Sequence, residues 1–120
     1  MKILIVEDNP DMRDLLALRV QLTGYIPILA SHGKEGIEKA NAERPDLILM
    51  DMMMPVMDGW EAARILRASR ETKDIPILAT TAVFRSDDLK ACLDAGCNGY
   101  LVKPFNGVDL QRKIREMLDA

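Results

Sequence analysis

Five polar residues that each follow an apolar run carry the chemistry this chain could do. Glu7 and Asp8 follow Ile3-Leu4-Ile5-Val6, Asp51 follows Leu47-Ile48-Leu49-Met50, Thr81 closes the run that starts at Ile75, and Lys103 follows Gly99-Tyr100-Leu101-Val102. If the runs are parallel strands, these side chains gather at one edge of a sheet, where open α/β sheets bind their ligands. Three carboxylates brought that close cannot all stay ionised without a cation, and an all-oxygen set with room for water suits a hard divalent ion, Mg²⁺ first and Mn²⁺ as a substitute. Asp8 and Asp51 are the direct ligands, Glu7 acts through a bound water, and the backbone carbonyl of Met53 completes the protein's share. Thr81 and Lys103 supply a hydroxyl and a fixed positive charge for phosphate oxygens. The reaction that needs this set is phosphoryl transfer, with the Asp51 carboxylate as nucleophile and an aspartyl phosphate as product. A carboxylate is ionised at neutral pH and needs no general base. The one histidine, His32, sits in a polar Ser-His-Gly connection that reads as surface.

The elements that must position these groups are legible. The apolar runs are four to six residues long and rich in Ile, Leu and Val, the pattern of strands buried on both faces. Between them lie helix-length stretches at Asp11 to Thr23, Lys34 to Glu43, Trp60 to Ser69, Ser86 to Ala95 and Val108 to Leu118. Asn9-Pro10 reads as a cap followed by a first-turn proline, Gly24 as a helix stop, and Ser86 with Asp87 and Asp88 as another helix start. Leu89, Cys92, Leu93 and Gly96 share one face of the fourth helix, and Leu110, Ile114, Met117 and Leu118 share one of the fifth. Ile26-Pro27-Ile28-Leu29-Ala30 supplies a fifth strand whose proline fits a sheet edge. Regular alternation with right-handed crossovers predicts an α/β doubly wound sandwich of flavodoxin-like (βα)5 type, with a five-stranded parallel sheet in the order 2-1-3-4-5.

At 120 residues and a net charge of -3, the chain suits one domain, residues 1–120, and argues against binding nucleic acid directly, although Arg112, Lys113 and Arg115 make the last helix locally basic. No stretch reaches membrane-spanning length and Met1-Lys2-Ile3 leads straight into a strand, so a cytoplasmic protein without a membrane association is expected. Cys92 and Cys97, five residues apart and without Cys or His partners, fit no zinc or thioredoxin-type motif and read as buried small hydrophobes. Met50, Met52, Met53, Met54 and Met57 read as core fillers and not as soft-metal ligands, and Trp60 as a packing residue. Leu15, Leu18 and Leu22 add apolar surface beside the Met12-Leu16-Val20 side of the first helix; burial is the favoured reading, a docking patch for a kinase or phosphotransfer helix the other.

The segments Ile3-Leu-Ile-Val-Glu-Asp-Asn9, Asp51-Met-Met-Met-Pro-Val-Met-Asp-Gly59, Thr81-Ala82 and Ala95-Gly-Cys-Asn-Gly-Tyr-Leu-Val-Lys-Pro-Phe105 resemble, as a set, the receiver domain of two-component response regulators, similar to stand-alone CheY-like proteins. The resemblance implies a phosphoacceptor at Asp51, an acidic metal pair at Glu7 and Asp8, a metal-binding carbonyl at Met53, phosphate-binding switch positions at Thr81, Ala82 and Lys103, and a cis peptide before Pro104. It implies an aromatic switch at Tyr100 that turns inward as Thr81 moves, remodelling the surface of the fourth helix, fifth strand and fifth helix. The implied partners are a histidine kinase or histidine phosphotransfer protein as donor and a downstream protein target, with the chain a monomer or a phosphorylation-dependent dimer. Such a domain is a signalling switch that catalyses only its own phosphorylation and dephosphorylation. Met53 and Val83 match positions that tune dephosphorylation through water access, and both are apolar, so a long-lived phosphoryl group is expected. A phosphatase of the haloacid dehalogenase type would want a second Asp where Met53 stands, and a flavodoxin would want a Ser/Thr-rich phosphate loop where Glu7-Asp8-Asn9-Pro10 stands. A stand-alone regulator and a receiver cut from a longer one both remain open.

Overall fold

Branched apolar residues in runs of four or five form the strands, and the capped, periodic stretches between them form the helices. A computed structural model of the chain describes all residues except 55, 83–85 and 120, and of residues 86–89 the backbone only. The elements alternate without exception: β1 (Lys2–Val6), α1 (Pro10–Leu22), β2 (Ile26–Ala30), α2 (Gly33–Glu43), β3 (Leu47–Asp51), α3 (Gly59–Ala68), β4 (Ile77–Thr81), α4 (Ser86–Asp94), β5 (Gly99–Val102) and α5 (Gly107–Asp119). The strands form one parallel sheet in the order β2-β1-β3-β4-β5. This is the flavodoxin-like arrangement, with Pro27 on an edge strand, where its missing N–H leaves no gap in the ladder. Helix bounds differ from the sequence reading by one residue at most ends, and β4 begins two residues later than the apolar run suggests.

The sheet is covered on both faces. On one, Ile3, Ile5, Leu47, Leu49 and Leu78 pack against Leu16 and Val20 of α1 and Leu110 and Ile114 of α5. On the other, Leu4, Val6, Ile48, Met50, Ile77 and Ala79 meet Ala40 of α2, Ala62, Ala63 and Leu66 of α3 and Cys92 of α4. Each fully buried Leu or Ile contributes roughly 1.5–3 kcal/mol against chain entropy. The small residues on α2 and α3 let those helices lie close to the strands. Gly59 is the extreme case: a Cβ there would sit 2.7 Å from the Asp51 carbonyl oxygen and 2.6 Å from Met52 Sδ. The first turn of α3 therefore rests directly on the end of the strand that carries Asp51.

Capping fixes where the helices start. Asn9 Oδ1 accepts from Met12 N–H at 3.0 Å ahead of Pro10, and Asp58 Oδ1 accepts from Glu61 N–H at 2.9 Å. His32, exposed as expected, has a role that its position in a polar loop did not reveal: its Nδ1 accepts from Glu35 N–H at 3.1 Å and caps α2. Glu35 in turn accepts from Ser31 N–H, and that bond holds its carboxyl below the ordinary range.

Two apolar expectations are corrected. Leu15, Leu18 and Leu22 are 47%, 50% and 69% exposed, because α1 turns Leu16 and Val20, with Met12 and Ala17 partly buried beside them, onto the sheet. Leu93 is also exposed; within its stripe Cys92 packs inward, and the Leu89 side chain lies outside what the structure describes. Met50, Met52 and Met54 are core residues, whereas Met53 points outward from the loop. Both cysteines are buried, as read from the sequence, and no disulfide joins them. α4 begins at Ser86, as the sequence reading has it, while the side chains of residues 86–88 and the whole of Val83 lie outside the described residues.

Candidate functional site

β1 and β3 are neighbours in register, Val6 opposite Met50, so the residues that follow them emerge side by side. Glu7, Asp8 and Asp51 each bring a carboxylate oxygen within 4.8 Å of the others. Glu7 and Asp51 are 1% and 4% exposed, while Asp8 opens to solvent. Asp51 is held in place by its own loop, since Met53 N–H donates to Asp51 Oδ1 at 3.1 Å. Glu7 accepts from Asn9 N–H through Oε2 at 3.2 Å, and its carbonyl accepts from the Arg13 guanidinium at 3.0 Å, so α1 braces it from behind.

Lys103 enters from β5 two strands away. Its backbone N–H donates to the Thr81 carbonyl at 2.7 Å, which continues the β4–β5 ladder past the last residue of β5. Its ammonium stands 3.3 Å from Glu7 Oε1 and 3.4 Å from Asp51 Oδ1. One cation beside two buried carboxylates leaves excess negative charge. The Glu7 carboxyl is accordingly pushed up to about 7, chiefly by burial and then by its hydrogen bond to and repulsion from Asp51, with the Asn9 N–H and Lys103 opposing. A group raised in this way is relieved by a further cation, and the donors present, all carboxylate oxygens with one side open to water, suit Mg²⁺. Asp8, Asp51 and Glu7 are the side chains that could hold it.

The remaining residues read from the sequence fall as follows. Thr81 is the last residue of β4, buried at the same edge of the sheet, and Ala82 after it is exposed. Met53 lies on the loop beside Asp51 with an exposed side chain. Lys103-Pro104 is a cis peptide. Tyr100 on β5 is more than a third exposed and points away from the core. The sequence reading did not single out Arg13, whose side chain reaches from the first turn of α1 back to the Glu7 carbonyl and leaves no mark in composition.

The comparisons with known proteins agree with this geometry. Residues 3–115 match the response regulator receiver domain family. Response regulator MprA of Mycobacterium leprae is 40% identical over 118 residues, covering 98% of this chain and 51% of the relative. The transcriptional regulatory protein HprR of Escherichia coli is 36% identical over 118 residues, covering 98% of this chain and 52% of the relative. The chain thus spans about half the length of these relatives. Among solved structures, the chemotaxis protein CheY4 of Vibrio cholerae superposes with a TM-score of 0.93 at 33% identity, covering 98% of each chain. The receiver domain of the sensor histidine kinase PA1611 of Pseudomonas aeruginosa, with a magnesium ion coordinated in its active-site cleft, gives 0.92 at 38% identity and covers 99% of this chain and 98% of that one. With its parallel sheet in the order 2-1-3-4-5 and its acidic cleft at the strand ends, this chain belongs to the response regulator receiver domain family.

Proposed function

We propose that the chain is a phosphorylation switch in which Asp51 accepts a phosphoryl group from a phosphohistidine of a histidine kinase or histidine phosphotransfer protein. An Asp51 carboxylate oxygen forms the new bond to phosphorus as the bond from phosphorus to the donor's imidazole nitrogen breaks, and a proton from water ends on that nitrogen. The observation that carries this reading is the cluster of Glu7, Asp8 and Asp51 with the Lys103 ammonium 3.4 Å from Asp51. Asp8, Asp51, the Met53 carbonyl and, through water, Glu7 are the groups that would hold Mg²⁺, which when bound supplies positive charge to the phosphoryl oxygens. Lys103 meets the same oxygens from the β5 side, and Thr81 with the backbone at Ala82 provides donors from β4. Removing the developing charge is the main task in such a transfer, because a carboxylate nucleophile brings no proton to be taken away.

The new phosphoryl group adds charge and acceptor oxygens beside Thr81 and Lys103. We take Tyr100, outward in this structure, as the side chain that responds, and the α4–β5–α5 face as the surface a downstream protein reads. A bias of a few kcal/mol between two arrangements is enough for such a switch. The donor meets the other side of the molecule: Leu15, the first residue of the exposed set Leu15, Leu18 and Leu22 on α1, lines a groove of about 240 Å³ that includes Met12, Leu16, Lys103, Phe105 and Leu110. An apolar stripe of this kind beside the site suits a docking helix. The domain acts as a monomer or a phosphorylation-dependent dimer in the cytoplasm, turning over no substrate but its own phosphoryl group, and contacts no nucleic acid directly. No described helix is long and apolar enough to cross a membrane.

The test is intact mass after incubation with acetyl phosphate, with and without Mg²⁺, alongside Trp60 fluorescence. A Mg²⁺-dependent gain of one phosphoryl group, acid-stable, base-labile and absent in Asp51→Ala, is expected. No gain at saturating donor overturns the reading.

A further inference from the structure

At the opposite end of the sheet from the acidic cleft, Arg67 in the last turn of α3 ties three separate segments together. Its Nε donates to the Gly96 carbonyl at 2.8 Å, its Nη1 to the carbonyls of Ile75 at 2.6 Å and Lys73 at 2.9 Å, and its Nη2 to Asn98 Oδ1. Asn98 carries the tie into the sheet: its Oδ1 also accepts from Ile77 N–H at 2.9 Å, and its own N–H donates to the Ile77 carbonyl at 2.8 Å. The segment joined from the other side is the C-terminal end of α4. There Cys97 N–H reaches back to the Cys92 carbonyl at 3.1 Å and Gly96 N–H to the Leu93 carbonyl at 3.0 Å, a Schellman closure with Gly96 at φ +110°. A Cβ at Gly96 would run into the Arg67 stem, so the turn is both closed on itself and pressed onto the arginine. Cys92 and Cys97 pack beneath it, and burial pushes the Cys97 thiol up to about 12.

We infer that Arg67 is a clasp that fixes the C-terminal end of α4 and the root of β5, so that the α4–β5 unit rearranges only by pivoting about the turn at Gly96. The clasp is a geometric device in its own right. Its use in signalling rests on the reading that the α4–β5–α5 face responds to phosphorylation at Asp51. All the carbonyls bonded by Arg67 belong to α3–β4 and α4–β5 connections, whereas the acidic cleft lies at the far ends of β4 and β5. A change at Thr81 or Lys103 therefore reaches α4 from its N-terminal side, against an end that is held. A planar fork satisfying this many carbonyls at once is particular to arginine; a lysine retains the charge and cannot span them.

The experiment is amide hydrogen exchange on the full chain, wild type against Arg67→Lys and Asn98→Ala, with the amides of Ile77, Gly96, Cys97 and Asn98 compared with those of β1 and β3. The clasp amides of the wild type should exchange as slowly as the central strands, through global opening only. In either variant they should exchange at least ~10-fold faster relative to those strands, as local opening replaces global opening. A uniform loss of protection over clasp and central strands alike would show that Arg67 only adds to overall stability and would overturn the clasp. In a second arm, after phosphorylation with acetyl phosphate and Mg²⁺, the wild-type clasp amides should keep their rates while those of the first turns of α4 change; loss of clasp protection there overturns the pivot. Intact mass reports separately whether Asp51 took up the phosphoryl group. If it did not, the switch reading fails, and the clasp stands or falls on the first arm.

Discussion

Replacing Val56 by glycine should make the protein more stable. Val56 lies in the loop between Asp51 and α3 at φ +68°, a region that costs an L-residue about 1–2 kcal/mol and suits a β-branched one least. Its side chain is fully exposed, so removing it gives up little buried area. Glycine relieves the backbone strain and loses ~0.5–1 kcal/mol through the greater freedom of its unfolded chain. The net gain is about 0–1.5 kcal/mol, a rise of up to roughly 6 °C in melting temperature for a chain of this size. Val56→Ala keeps a Cβ and should recover only a fraction, whereas Val56→Asn, which tolerates the left-handed region, should approach glycine. Urea unfolding of the four proteins checks this through the midpoint at unchanged m-value. A glycine variant no more stable than the alanine variant would refute the argument, because strain at Cβ is its only source.

Three further outcomes are expected. Gly59→Ala should destabilise the protein by about 2–3 kcal/mol in the same assay, since the new methyl group has Asp51 and Met52 backbone atoms in its place; a neutral result would mean that α3 can lift off β3 freely. In the absence of metal, Glu7 binds its proton more tightly folded than unfolded, so its contribution to stability is present below the ordinary glutamate range and is lost as pH rises through about 7. Melting temperature should therefore show a falling component between about pH 5 and 8 that Glu7→Gln or saturating Mg²⁺ removes; no difference between wild type and Glu7→Gln across that window would contradict the shift. Met53→Asn should shorten the lifetime of the phosphoryl group by about tenfold, equivalent to ~1.4 kcal/mol in the barrier to water attack, as followed by loss of the added mass. An unchanged lifetime would remove Met53 from the control of water access.

The fold was readable because β1, β3 and β4 are buried on both faces and their sequences are unbroken apolar runs, each ended by the polar residue that the strand delivers to the edge. Asp51, Glu7 and Asp8 could be placed together from that pattern alone, since β1 and β3 need only be neighbours. On α1 the Met12-Leu16-Val20 side does pack on the sheet, but the apolar residues run on around the helix, so the sequence did not show where coverage ends, and Leu15, Leu18 and Leu22 turned out to face solvent. Arg67 was equally silent, because its partners Lys73, Ile75, Gly96 and Asn98 are joined to it by carbonyls that every residue possesses and by one asparagine 31 positions on. His32 looked like a loop residue for the same reason: a capping nitrogen is recognised by the helix it starts, and histidine is not a usual choice.

The cleft has a floor of Glu7, Asp51 and Thr81, each buried and tied into the sheet, and a border of Met53 and Ala82 that faces water. Changing the floor disturbs packing and chemistry together, so those positions have little room to drift. The border and the exposed leucines of α1 bear no such double duty. If the chain is the switch proposed above, its descendants could alter how long a message persists, and from whom it is taken, by exchanging residues that the folding of the domain scarcely notices.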